Sequence, residues 1–565
     1  MKNIIYISTI FLAGLLFNSC SDFLEPEFDS SRLSEEQMLA DPAYTEGLLA
    51  KAYADLPDNY NFNLDVASDD AVTNDLNSTY LSMATGQWKS QNNPISAWTS
   101  AYNKIFYINQ FIDRIGLVEW SDDERLKELH VKRLTGEAMG LRAWYEFMLL
   151  QGHAGKTADG KLLGFPIIRK SIIPGEEWRI PRNTFKECVD QIIADCDVAI
   201  ANLPMDYVNT ATDQIYNEGM GSRWTNRLTA RAVKAFKSRV LLYAASPAYN
   251  ATNSAEAWTL AANTAKAFLE ESGGLSALSP TGLNFYVYNN TNDKDVIWAR
   301  AISSSSDLEA DNFPPSLIGK GRTNPTQELV DAFPMKNGHP INASASGYIQ
   351  SDPYKDRDPR LAKYIIYNGS VFGSKGVINT HVGAPQNGIN QQTNSTRTGY
   401  YLRKFMLENV QIENPNVPQN HFYTYIRYTE VFLNYAEAAN EAWGPDGNGG
   451  NGLTAREVIA AIRARAGITA PDAYLASLTT KEQFRELIHT ERRIELCFEG
   501  HRFWDIRRWD KKNVMKAPVK GAFISGNNFE YKEVEQRSYQ DYMIYGPIPY
   551  SEILKYNGLL QNQGW

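Results

Sequence analysis

Apolar residues recur at three- and four-residue spacing over nine stretches of the chain, and each stretch predicts an amphipathic helix. Six lie early, at 34–54, 94–115, 122–150, 184–203, 225–245 and 255–272; three lie late, at 423–443, 454–466 and 480–499. Capping signals support the boundaries. Ser121 stands before Asp122 and Glu124, and Thr480 is followed three residues on by Gln483, the spacing of a capping box. Small residues such as Ala230, Ala232, Ala235, Ala244 and Ala245 allow helices to approach closely, as in stacked antiparallel hairpins. No strict 34-residue period occurs, so any tetratricopeptide-like character is degenerate. The expected fold is mainly α.

Between the two helical blocks the pattern changes. Residues 273–420 are rich in Gly, Asn, Ser, Thr and Pro, with short strand-like pieces at Val296–Arg300 and Tyr364–Tyr367. A structureless connection of that length does not suit a compact fold, so an irregular subdomain inserted between helices is expected. Binding residues concentrate on such loops. Residues 514–542 read as a second, smaller irregular segment. The division is therefore 20–272, a helical part containing a polar segment at 60–94; 273–420, the irregular insertion; and 421–565, a helical part with a tail.

The first 19 residues read as an export signal: Lys2 is positive, and Ile4 to Phe17 are apolar but too short to span a bilayer. Leu16-Phe17-Asn18-Ser19-Cys20 has the look of a bacterial lipobox, making Cys20 the expected lipid anchor. Three further cysteines remain. Cys188 and Cys196 fall on one helix, about 12 Å apart along its axis, too far for a bridge. Buried free thiols and no disulfide framework follow.

The 565 residues carry 56 Lys and Arg against 65 Asp and Glu, a net charge of −9 that excludes a phosphate-tracking surface for nucleic acid. Aromatic side chains are abundant, with 31 Tyr outnumbering 24 Phe and joined by 12 Trp. Such an excess of polar-tipped rings suits half-wet surfaces as well as cores.

Catalytic signatures are missing. The seven His are scattered without HExxH spacing, and neither GxSxG nor GxxxxGK[ST] occurs. Asp446 to Glu457 has a faint calcium-loop spacing, but lacks an oxygen side chain at the fifth position and Gly at the sixth. A turn explains it more simply, and no metal or cofactor is expected. Glu491, Glu495 and Glu499 line one helical face and could be imagined as a glycosidase pair. Stacked carboxylates repel unless cations intervene, so a structural charge network is the stronger reading.

The same stretch, ERRIELCFEGHRFWDIRRW, resembles the SusD/RagB family of outer-membrane nutrient-binding lipoproteins. So do RYTEVFLNYAEAANEA, AIRARAGI and KSRVLLYAASPAYN, the start CSDFLEPE and the tail GPIPYSEILKYNGLLQNQGW, which departs from the family pattern at Gln563, commonly Pro. The resemblance implies tetratricopeptide-like hairpins packed against a loop-rich region. It also implies a glycan or, in one branch, a peptide bound without cleavage, and a TonB-dependent transporter as partner over which the protein acts as a lid.

By position, the resemblance carries Asp69 or Asp70 and Gln91 over as hydrogen-bonding residues and Trp88 as a stacking platform. Asn92 joins them as the neighbour of Gln91 in a polar loop. In the irregular region, Phe313 and Arg322 are candidate contacts because they lie in the polar run 303–324. Trp298 is a weaker one, since alternation with Val296 favours core. Trp98, Tyr102, Ile105, Asn109 and Ile112 have helical spacing and are expected in the core. A surface glycosidase and a purely structural helical scaffold are the competing functional classes.

Overall fold

The computed structural model describes residue 37 and residues 41–172, 175–287, 293–450 and 452–565; the expected export signal and Cys20 lie outside them. Among the described residues nine long helices form over the stretches that the apolar periodicity marks, except that 424–427, inside the stretch 423–443, form a strand. They are α1 (Pro42–Ala54), α2 (Trp98–Arg114), α3 (Glu124–His153), α4 (Phe185–Asn202), α5 (Ala230–Ala245), α6 (Ala255–Glu271), α7 (Tyr428–Trp443), α8 (Ala455–Ala466) and α9 (Lys481–Glu495).

Local chemistry fixes their starts. The Asp41 carboxylate accepts from Ala43 N ahead of a first-turn Pro42, and Thr184 with Glu187, Thr454 with Glu457 and Thr480 with Gln483 close capping boxes. The cap of α3 is Asp123, whose side chain accepts from Leu126 N, while Ser121 supports Asp123 from outside. Glu457, the twelfth residue of the calcium-like spacing, is thus the partner of Thr454, and Asp446 is paired with Arg456 at 2.6 Å.

The helices pack in pairs: α3 along α2 and α4, α5 along α4 and α6, and α7, buried on every side from Tyr428 to Glu441, along α6, α8 and α9. One apolar core joins the early and late helices, running from Leu49 through Ile108, Leu141, Ile192 and Phe432 to Ile488 and Leu559. Cys188, Cys196 and Cys497 are buried free thiols, as expected.

The middle region is a set of two-stranded pieces over a second core that includes Phe333, Ile365, Tyr400 and Phe498. Strand β1 (Ala71–Thr73) pairs antiparallel with β4 (Thr323–Pro325), and β2 (Val296–Ala299) with β8 (Thr424–Arg427). Strand β3 (Ser303–Ser305) pairs with β7 (Gln419–His421), and β5 (Ile365–Ile366) with β6 (Tyr401–Leu402). Residues 303–324 are consequently less loop-like than their composition: β3 leads into a short helix, Asp307–Asn312.

Two expectations change. Residues 514–542 hold the longest strands among the described residues, β9 (Val519–Ser525) and β10 (Asn528–Glu535), joined through Gly526 and Asn527. A Gly-Asn pair between alternating residues is a hairpin signal. Helix α9 ends at Glu495 instead of Glu499, and Phe498 and Gly500 beyond it adopt positive φ, 63° and 76°. The resulting turn swings Glu499 onto Lys404 and Arg427.

Candidate functional site

Asp69 and Asp70 precede β1 and point into the protein. Arg502 grips Asp69 with two hydrogen bonds of 2.7 and 2.9 Å, and Arg493 reaches Asp69 at 2.9 Å and Asp70 at 2.7 Å. Burial opposes ionisation of Asp69, yet Arg493 and Arg502 outweigh it and hold its carboxyl well below the usual carboxylate range. Their backbones are also engaged, by Thr326 Oγ1 on Asp69 O and Thr326 N on Asp70 O. Both aspartates lock β1 to the 491–509 segment, which corrects their expected role as ligand hydrogen-bonders.

The three aromatic candidates are corrected in the same way. Trp88 is 3% exposed; its Nε1 donates to Asn93 Oδ1, Trp565 packs edge-on at 4.9 Å, and the Arg507 guanidinium lies 5.5 Å from the ring centre. No face is left for a sugar. Trp298 is buried against Trp144 and Tyr425, ring centres 5.2 and 4.3 Å away. Phe313 is buried against Phe372, and Gly319 passes so close that a Cβ there would lie 2.1 Å from Phe313 O.

Arg322 behaves differently. Strand β4 brings it to the end of β1, beside the residues that leave that strand, Asn74 and Asp75. Its Nη1 lies 3.5 Å from Asn74 Oδ1 and 3.8 Å from Asp75 Oδ1, and its side chain remains 38% exposed. Asn74 fixes the corner by donating from Nδ2 to Lys320 O and Gly321 O, both at 2.9 Å. Lys320 and Asp311 form an exposed pair beside it at 2.8 Å. Leu76, 76% exposed, and Ile318, 54% exposed, add bare aliphatic surface. Behind the corner, Arg397 Nη1 donates to Thr73 O and pairs with Glu535 on β10. The result is an open face offering both donors and acceptors on a backbone braced from behind. Asn74, Asp75 and Lys320 were not singled out in the sequence, because the β1–β4 pairing that assembles them joins segments about 250 residues apart.

Gln91 and Asn92 occupy a tight exposed turn, closed by mutual hydrogen bonds between Lys89 and Asn92. The turn meets the C-terminal segment, where Tyr550 N donates to Ser90 O, rather than Arg322. No hydrogen bond or ion pair links the two places among the described residues.

The carboxylate row is a buried ion network. Glu495 meets Arg465 at 2.6 Å, Arg360 at 3.1 Å and Arg427 at 3.4 Å. Glu491 meets Arg463 and Arg360, and Glu499 meets Lys404 and Arg427. Burial would raise the Glu495 pKa, but Arg465, Arg427 and Arg360 bring it down to about 2. A permanently ionised, solvent-shielded carboxylate cannot deliver a proton to a leaving group. The cations come from elsewhere in the chain; Arg492 and Arg508, within the same stretch, pair with Asp505 and Glu437 instead.

Comparison with known proteins agrees with this architecture. A family model described as "SusD family" matches residues 287–565, and one described as "Starch-binding associating with outer membrane" matches residues 22–242. SusD-like protein P38 of Formosa agariphila is 24% identical over 544 residues, covering 92% of this chain and 94% of that protein. A solved SusD-like protein of Bacteroides fragilis superposes with a TM-score of 0.74 at 24% identity, covering 94% of this chain and 99% of the other. A second from the same species, a SusD-like carbohydrate binding protein, gives 0.72 at 21% identity over 92% and 99%.

Proposed function

The chain belongs to the SusD/RagB family, and from that premise we propose that it is a non-catalytic glycan-binding lipoprotein of the outer membrane. The observation that carries the reading is the face of Arg322, Asp75 and Lys320, which the buried Asn74 holds in place. It presents charged hydrogen-bonding groups of both signs, and Leu76 and Ile318, next to Asp75 and two residues before Lys320 in sequence, are exposed aliphatic side chains. A pyranose has the matching surface, hydroxyl edges around patches of C–H. The carbohydrate-binding relative in Bacteroides fragilis supports the ligand class, and the outer-membrane wording of the matched family supports the location.

In this reading Cys20 carries the acyl anchor, and the face captures the glycan for a TonB-dependent transporter that the protein covers as a lid. Gln91 and Asn92 are exposed too, but on the turn that meets the C-terminal segment, apart from this face. Capture needs no proton transfer, and the neutralised row of Glu491, Glu495 and Glu499 supplies none.

A panel of soluble polysaccharides and of peptides tests the reading, with released reducing ends measured alongside binding. Retention by at least one polysaccharide without release of product is expected. Retention by peptides alone would move the protein to the peptide-binding branch. Product release abolished by Glu495→Gln in a folded protein would make it a glycosidase.

A further inference from the structure

On the helical side of the molecule the stripe of α2 is only partly covered. Trp98 and Ile105 are buried, but Phe106 is 42% exposed. Opposite it stands Trp178, 50% exposed, and the C-terminal segment closes the third side with Tyr556 and Leu559. Together they enclose a groove of about 330 Å³, within the lower range of ligand pockets, roughly 300–1,000 Å³. We propose that this groove is a second saccharide-binding site, separate from the face around Arg322; it rests on the glycan-binding reading above.

The walls are fixed before any ligand arrives. Tyr556 donates its hydroxyl to Ile180 O at 2.6 Å, and Tyr102 donates to Pro166 O at 2.8 Å. Both rings are pinned by their polar ends, leaving aromatic surface toward the groove. Trp178 is held edge-on to Tyr556, with ring centres 5.5 Å apart and planes at 88°. Rigid aromatic walls lower the ordering cost of binding.

The rim decides the chemistry of the occupant. Lys170 is paired with Glu176 at 2.7 Å, and Lys555 with Glu552 at 2.7 Å. Each lysine sits beside a carboxylate, so the rim has hydrogen-bonding groups of both kinds and its lysines are already paired. A purely apolar chain would leave these rim groups unused. A neutral pyranose lays its C–H face on Trp178 or Phe106 and turns its hydroxyls to Lys170, Glu552 and Lys555. Gln91 and Asn92 lie close in the fold, since their turn is bonded to Tyr550 at the start of the segment bearing Glu552.

The test is affinity electrophoresis of the mature protein in gels containing starch, laminarin, xylan, mannan or pectin. Trp178→Ala, Phe106→Ala and Arg322→Ala are compared with the unaltered chain, and melting temperatures confirm that all are folded. On a polysaccharide that retards the unaltered protein, Trp178→Ala should weaken retention roughly tenfold. Combined with Arg322→Ala, it should weaken it further than either alone. Retention unchanged by Trp178→Ala and Phe106→Ala but lost in Arg322→Ala would overturn the second site and leave the glycan reading standing. Unchanged retention with loss of a membrane-protein partner would overturn it in favour of a protein-docking groove. No retardation on any polysaccharide would remove both readings together.

Discussion

Replacing Glu495 by Gln would leave Arg360, Arg427 and Arg465 facing a neutral amide in a fully buried setting. Removing one partner of a buried ion cluster costs about 3–5 kcal/mol, so urea unfolding of Glu495→Gln should show that loss. The pH dependence has the same origin. The folded pKa of Glu495, about 2, lies below its ordinary 4.5, so its charge contributes stability that is fully present above pH 4.5 and lost as pH falls toward 2. Melting temperatures measured from pH 5 downward should fall across that window, and less so in Glu495→Gln. Trp88 belongs to the same scale. Its indole is enclosed by Trp565, Phe503 and Arg507, so Trp88→Ala should destabilise by about 3–5 kcal/mol. A variant that kept full stability yet lost ligand would restore Trp88 as a platform. Arg322 is the opposite case: its pairing with Asp75 is half exposed and long, worth at most about 1 kcal/mol, so Arg322→Ala isolates binding from folding.

Helices were legible because their signals are local. Periodicity and capping residues such as Thr480 and Gln483 lie within one or two turns of the boundary they set. The β9–β10 hairpin has its own local signal in Gly526-Asn527 and the flanking alternation, which the expectation of an irregular segment at 514–542 does not use. Its docking depends on distant chain: Ala522 N donates to Thr398 O at 2.7 Å, and Val382 N to Ile524 O at 3.0 Å. Gly399 makes that approach possible. Its φ is 84°, and a Cβ there would sit 2.5 Å from Ala522 O. Gly399→Ala should therefore loosen the hairpin, seen as faster amide exchange over 519–535 while α2 to α6 keep their protection. The calcium-like spacing belongs to this scale too: with Asp446 on Arg456 and Glu457 on Thr454, added calcium should leave the melting temperature unchanged.

At the scale of the whole molecule, one core ties the early helices to the late ones, and the irregular region sits over a second. That division explains what the sequence could and could not show of the site. Burial of Trp88 is decided by Trp565, and burial of Asp69 by Arg493 and Arg502, residues more than 400 positions away. The resemblance places Trp88 and Asp69 by position alone, which does not include those distant partners. Arg322 stays partly exposed at the start of β4, and Asn74 and Asp75 come beside it only where β1 meets β4. Trp178 carried a signal that composition hid, a lone Trp among Glu176, Glu177 and Arg179 in a connection between helices. The central claim is that the face around Arg322 binds glycan without altering it, and calorimetric titration tests it most directly. The polysaccharide that retains the protein, or oligosaccharides derived from it, is titrated into the unaltered chain and into Arg322→Ala, each recovered with the sugar chain length checked afterwards. Saturable binding, intact sugar and a clear loss of affinity in Arg322→Ala at unchanged melting temperature are predicted. Equal affinity in both proteins, or shortened sugar after the titration, would contradict the account.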